Sequence, residues 1–168
     1  MAQRRVMEIV TPLGEDVLLF HSMHGREELG RLSEFEVTLL SKKADVNLDD
    51  ILSKNVTVKL ELPDRKTRYF NGFVTRFAQT GMHGRYHLYS ARVSAWPWFL
   101  TRSANCRIFQ DLTVPEIIKK VFEEYSIADF KAELTATYTK RVYCVQYRET
   151  DFNFISRLME EEGIYYFF

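Results

Sequence analysis

The spacing of hydrophobic residues changes once along this 168-residue chain, close to Trp96. Before that point apolar residues alternate with polar ones in short runs, which is the pattern of half-buried β-strands. After it they recur at every third or fourth position, as in amphipathic helices. We therefore predict a mainly β fold with an α+β portion: a small antiparallel β-barrel over residues 1–96, followed by the start of a mixed α+β domain over residues 97–168.

The first part contains six segments with strand-like alternation. They are Val6–Val10, Val17–His21, Phe35–Leu40, Val56–Leu62, Tyr69–Gln79 and Tyr86–Ala95. The turn residues Thr11–Gly14 predict a hairpin between the first two strands, and Thr80–Gly84 predicts a hairpin loop between the last two. Leu48–Leu52 predicts one helical turn. Short strands with regular turns are typical of small barrels and sandwiches.

Two helices are predicted in the second part. Thr113-Val114-Pro115-Glu116 combines a capping hydroxyl, a first-turn proline and a glutamate three residues after the threonine, which is a capping box. One apolar stripe follows, made of Val114, Ile117, Ile118, Val121, Phe122 and Tyr125.

The second helix is expected to begin near Thr150 or Asp151 and to end at Gly163. Its inward residues are predicted to be Phe154, Ile155, Leu158 and Met159. Between the two helices, Arg141–Arg148 is expected to form a strand.

The charge and composition of the chain do not indicate any particular class of binding partner. Lys plus Arg equals Asp plus Glu at 23 each, so no overall field draws the chain to nucleic acid or to an anionic membrane. The longest apolar runs, Trp96–Leu100 and Ile164–Phe168, are far shorter than a membrane span. Arg4 and Arg5 are not followed by an apolar stretch, so we predict no signal peptide. We expect no nucleic-acid partner and no stable membrane insertion.

Searching for reactive groups yields no catalytic, cofactor-binding or metal-binding residues. The sequence contains no GxSxG, GxxxxGK[ST], HExxH or SxxK motif. His83 and His87 have a metal-like spacing only on a helix, and here they enter a strand-like segment. His21 and His24 are expected at a strand end and in a loop, as surface residues. We therefore predict that the chain is not an enzyme.

The two cysteines, Cys106 and Cys144, have no CxxC spacing, so we expect free thiols. Cys106 is interpreted as a half-buried strand thiol rather than a nucleophile. Glu160, Glu161 and Glu162 crowd the predicted end of the second helix, where they form either a solvated face or a site for a basic partner.

Two alternatives to a structural role remain open at this point. Aromatic and basic residues that could stack on single-stranded nucleic acid occur together, which would suit an oligonucleotide-binding β-barrel. They are Trp96, Trp98, Phe99, Arg102 and Arg107. The other alternative, an uncharacterised enzyme domain, requires a pocket in which polar and titrating groups converge.

The last residues, Ile164–Phe168, have a strand pattern with no closing turn. Because an unpaired apolar strand is a liability, we expect the chain to be a fragment of a longer protein. By itself the segment is expected either to dock on the chain's own helices or to cause weak self-association.

Several blocks of this sequence resemble one family. Asn105–Gln110, the helix opening at Thr113 and the long block Val145–Phe167 are similar to VgrG-type type VI secretion spike proteins, in their amino-terminal phage tail hub-like (gp27-like) region. Gly25–Leu29 with Phe35–Val37, and Asn71–Val74, also match. The likeness covers essentially the whole chain. It departs at Ser53, where a glycine is expected, and at Ala95, where a proline often precedes the tryptophan pair.

The resemblance implies a mechanical function. Residues 1–96 would be the first hub-like barrel, and residues 97–168 the opening of the intervening mixed domain. In this family three subunits form a ring that caps a hexameric inner tube protein, and regions absent here carry effectors or adaptors. The resemblance thus implies a bacterial homotrimer that assembles in the cytoplasm and is expelled without a signal peptide. It implies no cofactor and assigns no contact residues.

Overall fold

The computed structural model describes residues 6–168 and divides into two units by its internal contacts. Unit 1 comprises the described residues up to Glu28, then Leu32–Ala95, and Phe168. Unit 2 comprises Leu29–Arg31 and Trp96–Phe167. Arg4 and Arg5, the basic residues on which the prediction of no signal peptide depends, lie outside the described residues.

Unit 1 is a six-stranded antiparallel sheet that curls into a half-barrel. Its strands are β1 (Met7–Val10), β2 (Leu19–Arg26), β3 (Glu34–Ser41), β4 (Asn55–Glu61), β5 (Thr67–His83) and β6 (Tyr86–Ser94). The order across the sheet is β1-β4-β5-β6-β3-β2. A 3₁₀ helix at Leu48–Asp50 confirms the expected helical turn.

The core of unit 1 lies on one face of this sheet. Alternate residues of the central strands point into it, as Phe35, Val37 and Leu39 of β3 illustrate. The same alternation on β4 buries Val56 and Val58. The predicted period of two is therefore confirmed, because alternate side chains of the central strands are buried in one apolar core and partly buried residues of β1 and β2 pack against it.

Two predicted hairpins need correction. β1 pairs with β4 and β2 pairs with β3, so the predicted β1–β2 hairpin is wrong. The turn after β1 forms, since the Gly14 amide donates to the Thr11 carbonyl. However, Met7 and Ile9 pack on the core from the β4 side, and this long-range ladder outweighs the local turn. The β5–β6 hairpin exists, but its strands run on to His83, so only residues 84 and 85 separate them.

Unit 2 contains a two-stranded sheet and two α-helices. Its elements are a 3₁₀ helix (Trp96–Thr101), β7 (Ala104–Phe109), α1 (Val114–Phe122), β8 (Cys144–Thr150) and α2 (Asp151–Glu161). β7 and β8 pair antiparallel. The predicted strand Arg141–Arg148 is displaced: β8 starts three residues later, and Arg141 forms only an isolated bridge with Leu112.

Both predicted helices are confirmed, and each has an N-terminal cap. The Thr113 hydroxyl accepts from the Glu116 amide, and the Glu116 carboxylate accepts from the Thr113 amide at 2.7 Å. The Thr150 hydroxyl caps α2 by accepting from the Asn153 amide at 3.1 Å. Buried faces agree with the predicted stripes, namely Val114, Ile117, Ile118 and Val121 on α1 and Phe154, Ile155, Leu158 and Met159 on α2. Phe122 and Tyr125 are only half-buried.

The segment Ile164–Phe168 is not assigned as a strand, contrary to its pattern. It follows Gly163, whose φ of 66° is the left-handed conformation that ends α2. The Gly30 amide donates to the Tyr166 carbonyl at 2.8 Å, and neither β7 nor β8 pairs with the segment. Exposure still alternates, with Tyr165 and Phe167 outward.

Candidate functional site

The most connected polar group in unit 2 is the carboxylate of Asp151, at the first residue of α2. Its side chain is 1% exposed. Arg107 donates to it at 2.7 Å, Gln146 at 2.7 Å, the Tyr125 hydroxyl at 2.6 Å, and Asn105 to both oxygens at 3.0 and 3.2 Å. We call these five residues the Asp151 cluster.

Strand geometry brings the donors together. Asn105 and Arg107 are two residues apart on β7 and so share one face. A bulge in β8 leaves Arg148, at φ 52°, as the extra residue opposite Asn105 and Cys106. Because of this bulge, Gln146 and Glu149 face the same side although they are three residues apart in sequence. Gln146 then reaches Asp151, and Glu149 pairs with Arg157 of α2 at 2.8 Å.

The cluster stabilises the ionised form of Asp151. Burial acts to raise the pKa of this carboxyl, but the hydrogen bonds from Gln146, Tyr125 and Asn105 and the charge of Arg107 outweigh burial and lower it. The pKa of Tyr125 is raised by burial and by its hydrogen bond to Asp151. A buried carboxylate with every donor supplied by its own chain is arranged to hold strands and helix together, not to accept a substrate proton.

A second set of ion pairs fixes the other end of α2. Arg141 donates to Glu161 at 2.7 Å and to Glu162 at 2.9 Å. Two of the three glutamates that could have served a basic partner are thus engaged by the chain itself, whereas Glu160 is exposed. Both ends of α2 are therefore tied to the segment around β8.

In unit 1 the two glycine motifs have steric explanations. A Cβ on Gly25 would lie 2.3 Å from the Phe35 ring, which packs over the bare glycine backbone. A Cβ on Gly72 would lie 2.6 Å from the Ser94 carbonyl oxygen on the neighbouring strand β6. Beside it, the Asn71 amide donates to Asn55, to Thr57 and to the Val56 carbonyl. These motif residues build the sheet.

The four histidines lie on three strands of unit 1, namely β2, β5 and β6. His83 and His87 lie on opposite strands of the β5–β6 hairpin rather than along one strand, as their strand-like segment had predicted. His87 instead lies 3.2 Å from Gln79, and the ring of His83 is 5.2 Å from that of His21. His21 and His24 are both exposed within β2, not at its end and in a loop. No group of three or more His, Cys, Asp or Glu among residues 6–168 is placed to hold a metal ion.

The cysteines are free in the structure. Cys144 is buried, whereas Cys106 is exposed and not half-buried as predicted. The reason is that Cys106 lies on the face of β7 that points away from the helices. Cys144 lies within electrostatic range of two arginines, Arg141 and Arg157.

The aromatic and basic residues near Trp96 do not form a stacking platform. Trp96 is buried against Phe122, with ring centroids 4.8 Å apart. Arg102 lies over the Trp98 ring at 5.0 Å, and Arg107 is committed to Asp151 and Glu124. An oligonucleotide-binding barrel needs free rings and cations at these positions, whereas Trp96 and Arg107 are engaged within unit 2.

Unit 1 contains an open cleft of about 500 Å³ beside the 3₁₀ helix. Its lining residues are Pro12, Leu13, Val17, Lys43, Asp45, Val46, Asn47, Asp50 and Lys54. The charged members are all exposed, and the lining includes no histidine or cysteine. This is a surface groove without the convergent buried groups that the enzyme alternative requires.

The β7–β8 outer face, made of Cys106, Ile108, Val145 and Tyr147, is an apolar surface that sequence reasoning missed. Ile108 is 60% and Tyr147 63% exposed. The Asp151 cluster was missed too. The alternation along β7 was the available signal for the outer face and for the cluster, since Asn105 and Arg107 lie on one face of the strand and Cys106 and Ile108 on the other. Only the tertiary structure shows which of the two faces is covered.

No helix among the described residues has the length and apolar character needed to cross a membrane.

The sequence is similar to that of known phage tail hub and spike proteins. Residues 26–168 match the family model described as phage tail baseplate hub (GPD). The chain is 50% identical over 168 residues to the type VI secretion system spike protein VgrG1a of Pseudomonas aeruginosa, covering 100% of this chain and 26% of that protein. It is 30% identical to the actin cross-linking toxin VgrG1 of Vibrio cholerae, covering 95% of this chain and 15% of the toxin.

Among solved structures, the chain resembles the Escherichia coli c3393 protein, with a TM-score of 0.80 and 24% sequence identity, over 92% of this chain and 43% of that one. That protein is described as a type VI secretion component with structural similarity to the T4 bacteriophage tail proteins gp27 and gp5. The shared fold is the gp27-like one. The chain spans about a quarter of the length of VgrG1a, and it belongs to the phage tail baseplate hub (GPD) family, together with the VgrG spike proteins.

Proposed function

We propose that this chain forms part of the hub head of a type VI secretion spike, a structural component that caps the inner tube and is expelled with it. The observation that carries the proposal is the family match over residues 26–168. The residues that carry the family resemblance have structural contacts in this fold. Gly72 lies against the Ser94 carbonyl, Thr113 caps α1, and the Asp151 cluster joins β7 and β8 to α2. Such structural roles for the family residues are what we expect of a protein whose function depends on its shape and contact surfaces.

Within this role we assign residues 1–96 to the first hub-like barrel and residues 97–168 to the beginning of the mixed domain. The partners would be two further copies in a trimer, a hexameric inner tube protein, and effectors or adaptors held by other regions. Assembly in the bacterial cytoplasm precedes expulsion, which needs no signal peptide. The role requires no cofactor and no bond-breaking step.

The proposal is tested in the host bacterium by deleting the gene that encodes this chain. Secretion of the inner tube protein into the medium should be lost and should return with the wild-type gene. A gene carrying Ile118→Asp should fail to restore it, whereas Lys119→Asp, at an exposed neighbouring position, should succeed. Undiminished tube-protein secretion from the deletion strain would overturn the proposal.

The proposed partners are tested with the purified full-length protein. We expect a native mass of three subunits and co-purification with the inner tube protein. A monomer that does not retain the tube protein would contradict both assignments while leaving family membership intact.

A further inference from the structure

Asp151 is the one acidic or basic side chain (Asp, Glu, Lys, Arg or His) that is buried among residues 6–168. In unit 1, by contrast, the carboxylates whose ion pairs join two described residues keep about a third or more of their side chains exposed. Exposed pairs contribute little to stability because water screens them. Only unit 2 therefore depends on a buried carboxylate.

We propose that the Asp151 cluster is an acid-sensitive lock for unit 2: protonation of Asp151 loosens unit 2 while unit 1 keeps its structure. This goes beyond the proposed function and does not rest on it. The geometry that carries it is the convergence of four donor side chains, from β7, from β8 and from the segment after α1, on one carboxylate of α2.

The charged and titratable groups that face Asp151 are few. Arg107 of β7 lies against it, with 16% of its side chain exposed, and is shared with the exposed Glu124. The Tyr125 hydroxyl is the other titratable contact, and Asn105 and Gln146 are neutral. A protonated carboxyl gains a hydrogen to donate and loses its charge. It therefore cannot satisfy all the donors, and Arg107 loses its buried counter-ion.

The direction of the pH effect follows from the lowered pKa of Asp151. A carboxylate whose pKa is lower in the folded state stabilises that state fully at pH values above the ordinary carboxyl pKa of about 4. This stabilisation is lost as the pH falls through the lower, folded value. Unit 2 should thus loosen in acid, below about pH 4.

The chain supplies a separate reporter for each unit. Both tryptophans, Trp96 and Trp98, lie in unit 2, so tryptophan fluorescence follows that unit alone. Hydrogen exchange of peptides from β5 and β6, corrected for intrinsic rates, follows unit 1. In an acid titration of the whole chain, we expect the fluorescence transition at a higher pH than the loss of protection in β5 and β6.

Tyr125→Phe is the deciding variant because it removes one donor while keeping the ring. Loss of that hydrogen bond should raise the pKa of Asp151 and move the fluorescence midpoint to higher pH. The control is Tyr165→Phe, which alters an exposed tyrosine of the same unit and should not shift the midpoint. Glu116→Gln controls for the exposed capping carboxylate, whose pKa is lowered by hydrogen bonds from the backbone amide and hydroxyl of Thr113, and should preserve the difference between the units.

Asp151→Asn should remove the acid transition specific to unit 2. If this variant does not fold, Tyr125→Phe still decides the outcome. The proposal is overturned if both units lose structure at the same pH, or if Tyr125→Phe leaves the fluorescence midpoint where the wild type has it.

Discussion

At the scale of single residues, backbone conformation and the close contact of neighbouring strands explain why the family has glycine at two positions, Ser53 and Gly72. Ser53 stands where the family resemblance predicts a glycine, and its φ is 59°, a left-handed conformation that side chains disfavour. Its amide is nevertheless held by the Val74 carbonyl at 2.8 Å. Gly72 has the opposite problem: its backbone is ordinary, but no space exists for a Cβ.

Replacing Ser53 with glycine should stabilise the chain. Relief of left-handed strain is worth about 1–2 kcal/mol, and the greater freedom of glycine in the unfolded chain offsets about 0.4–1 kcal/mol of that. We expect a net gain of roughly 0.5–1 kcal/mol in urea unfolding. Ser53→Ala, which retains the strain, is the control, and a glycine variant no more stable than the alanine variant would contradict the explanation.

Gly72→Ala should be strongly destabilising, by about 3 kcal/mol, because backbone must move to admit the methyl group. Gly84→Ala provides the comparison. Gly84 has a positive φ but open space around it, so its replacement should cost only about 1 kcal/mol. Equal costs in denaturant unfolding would show that strand β6 yields more easily than the contact distance indicates.

At the scale of elements, α1 and α2 owe their position to apolar stripes and α2 also to fixed charges at both ends. Ile117 and Leu158 are completely buried, and the stacked rings of Phe109 and Phe154, 5.6 Å apart, join β7 to α2. Local signals determine that these helices exist, whereas the charges around Asp151 and Arg141 determine how α2 lies on the sheet.

Ile118→Asp and Leu158→Asp should each destabilise unit 2 by about 4 kcal/mol, because each places an unpaired charge in an apolar contact. Lys119→Asp, one position along α1 on its exposed side, is the control and should change stability by less than about 1 kcal/mol. Thermal unfolding followed by tryptophan fluorescence measures all three. A wild-type midpoint for Ile118→Asp would mean that the buried face of α1 is misassigned.

The segment Ile164–Phe168 should promote weak self-association. Tyr165 and Phe167 are 65% and 73% exposed on one side of it, and exposed aromatic strips of this kind favour contact between copies. Sedimentation of the 168-residue chain should show a concentration-dependent increase in mass that disappears after truncation at Gly163. Tyr165→Ser with Phe167→Ser should have the same effect. A monomer at high concentration in every case would refute this expectation.

At the scale of the whole molecule, the two units have separate cores. The apolar cluster of unit 1 contains no residue beyond Val93, and the buried residues of unit 2 start at Trp96. Unit 1 is dominated by long-range strand pairing, whereas unit 2 combines two capped helices with one antiparallel pair of strands.

Residues 1–95 expressed alone should therefore keep a β-rich circular dichroism spectrum and unfold cooperatively. A shorter chain ending at residue 83 lacks β6, which pairs with strands on both sides, and should not fold. Loss of cooperative unfolding in the longer chain would show that unit 1 depends on residues after 95.

The sequence alone determined what depends on neighbours along the chain. The Thr113 cap, the start of α2 near Thr150 or Asp151, the helical stripes and the alternation of six strands were all predicted, since capping and periodicity involve residues a few positions apart. The tertiary structure alone decided the rest. It paired β1 with β4 instead of β2, turned Cys106 outward and gathered Asn105, Arg107, Tyr125 and Gln146 around Asp151. These outcomes depend on contacts between distant segments, where burial of apolar surface and satisfaction of a buried charge outweigh any local preference.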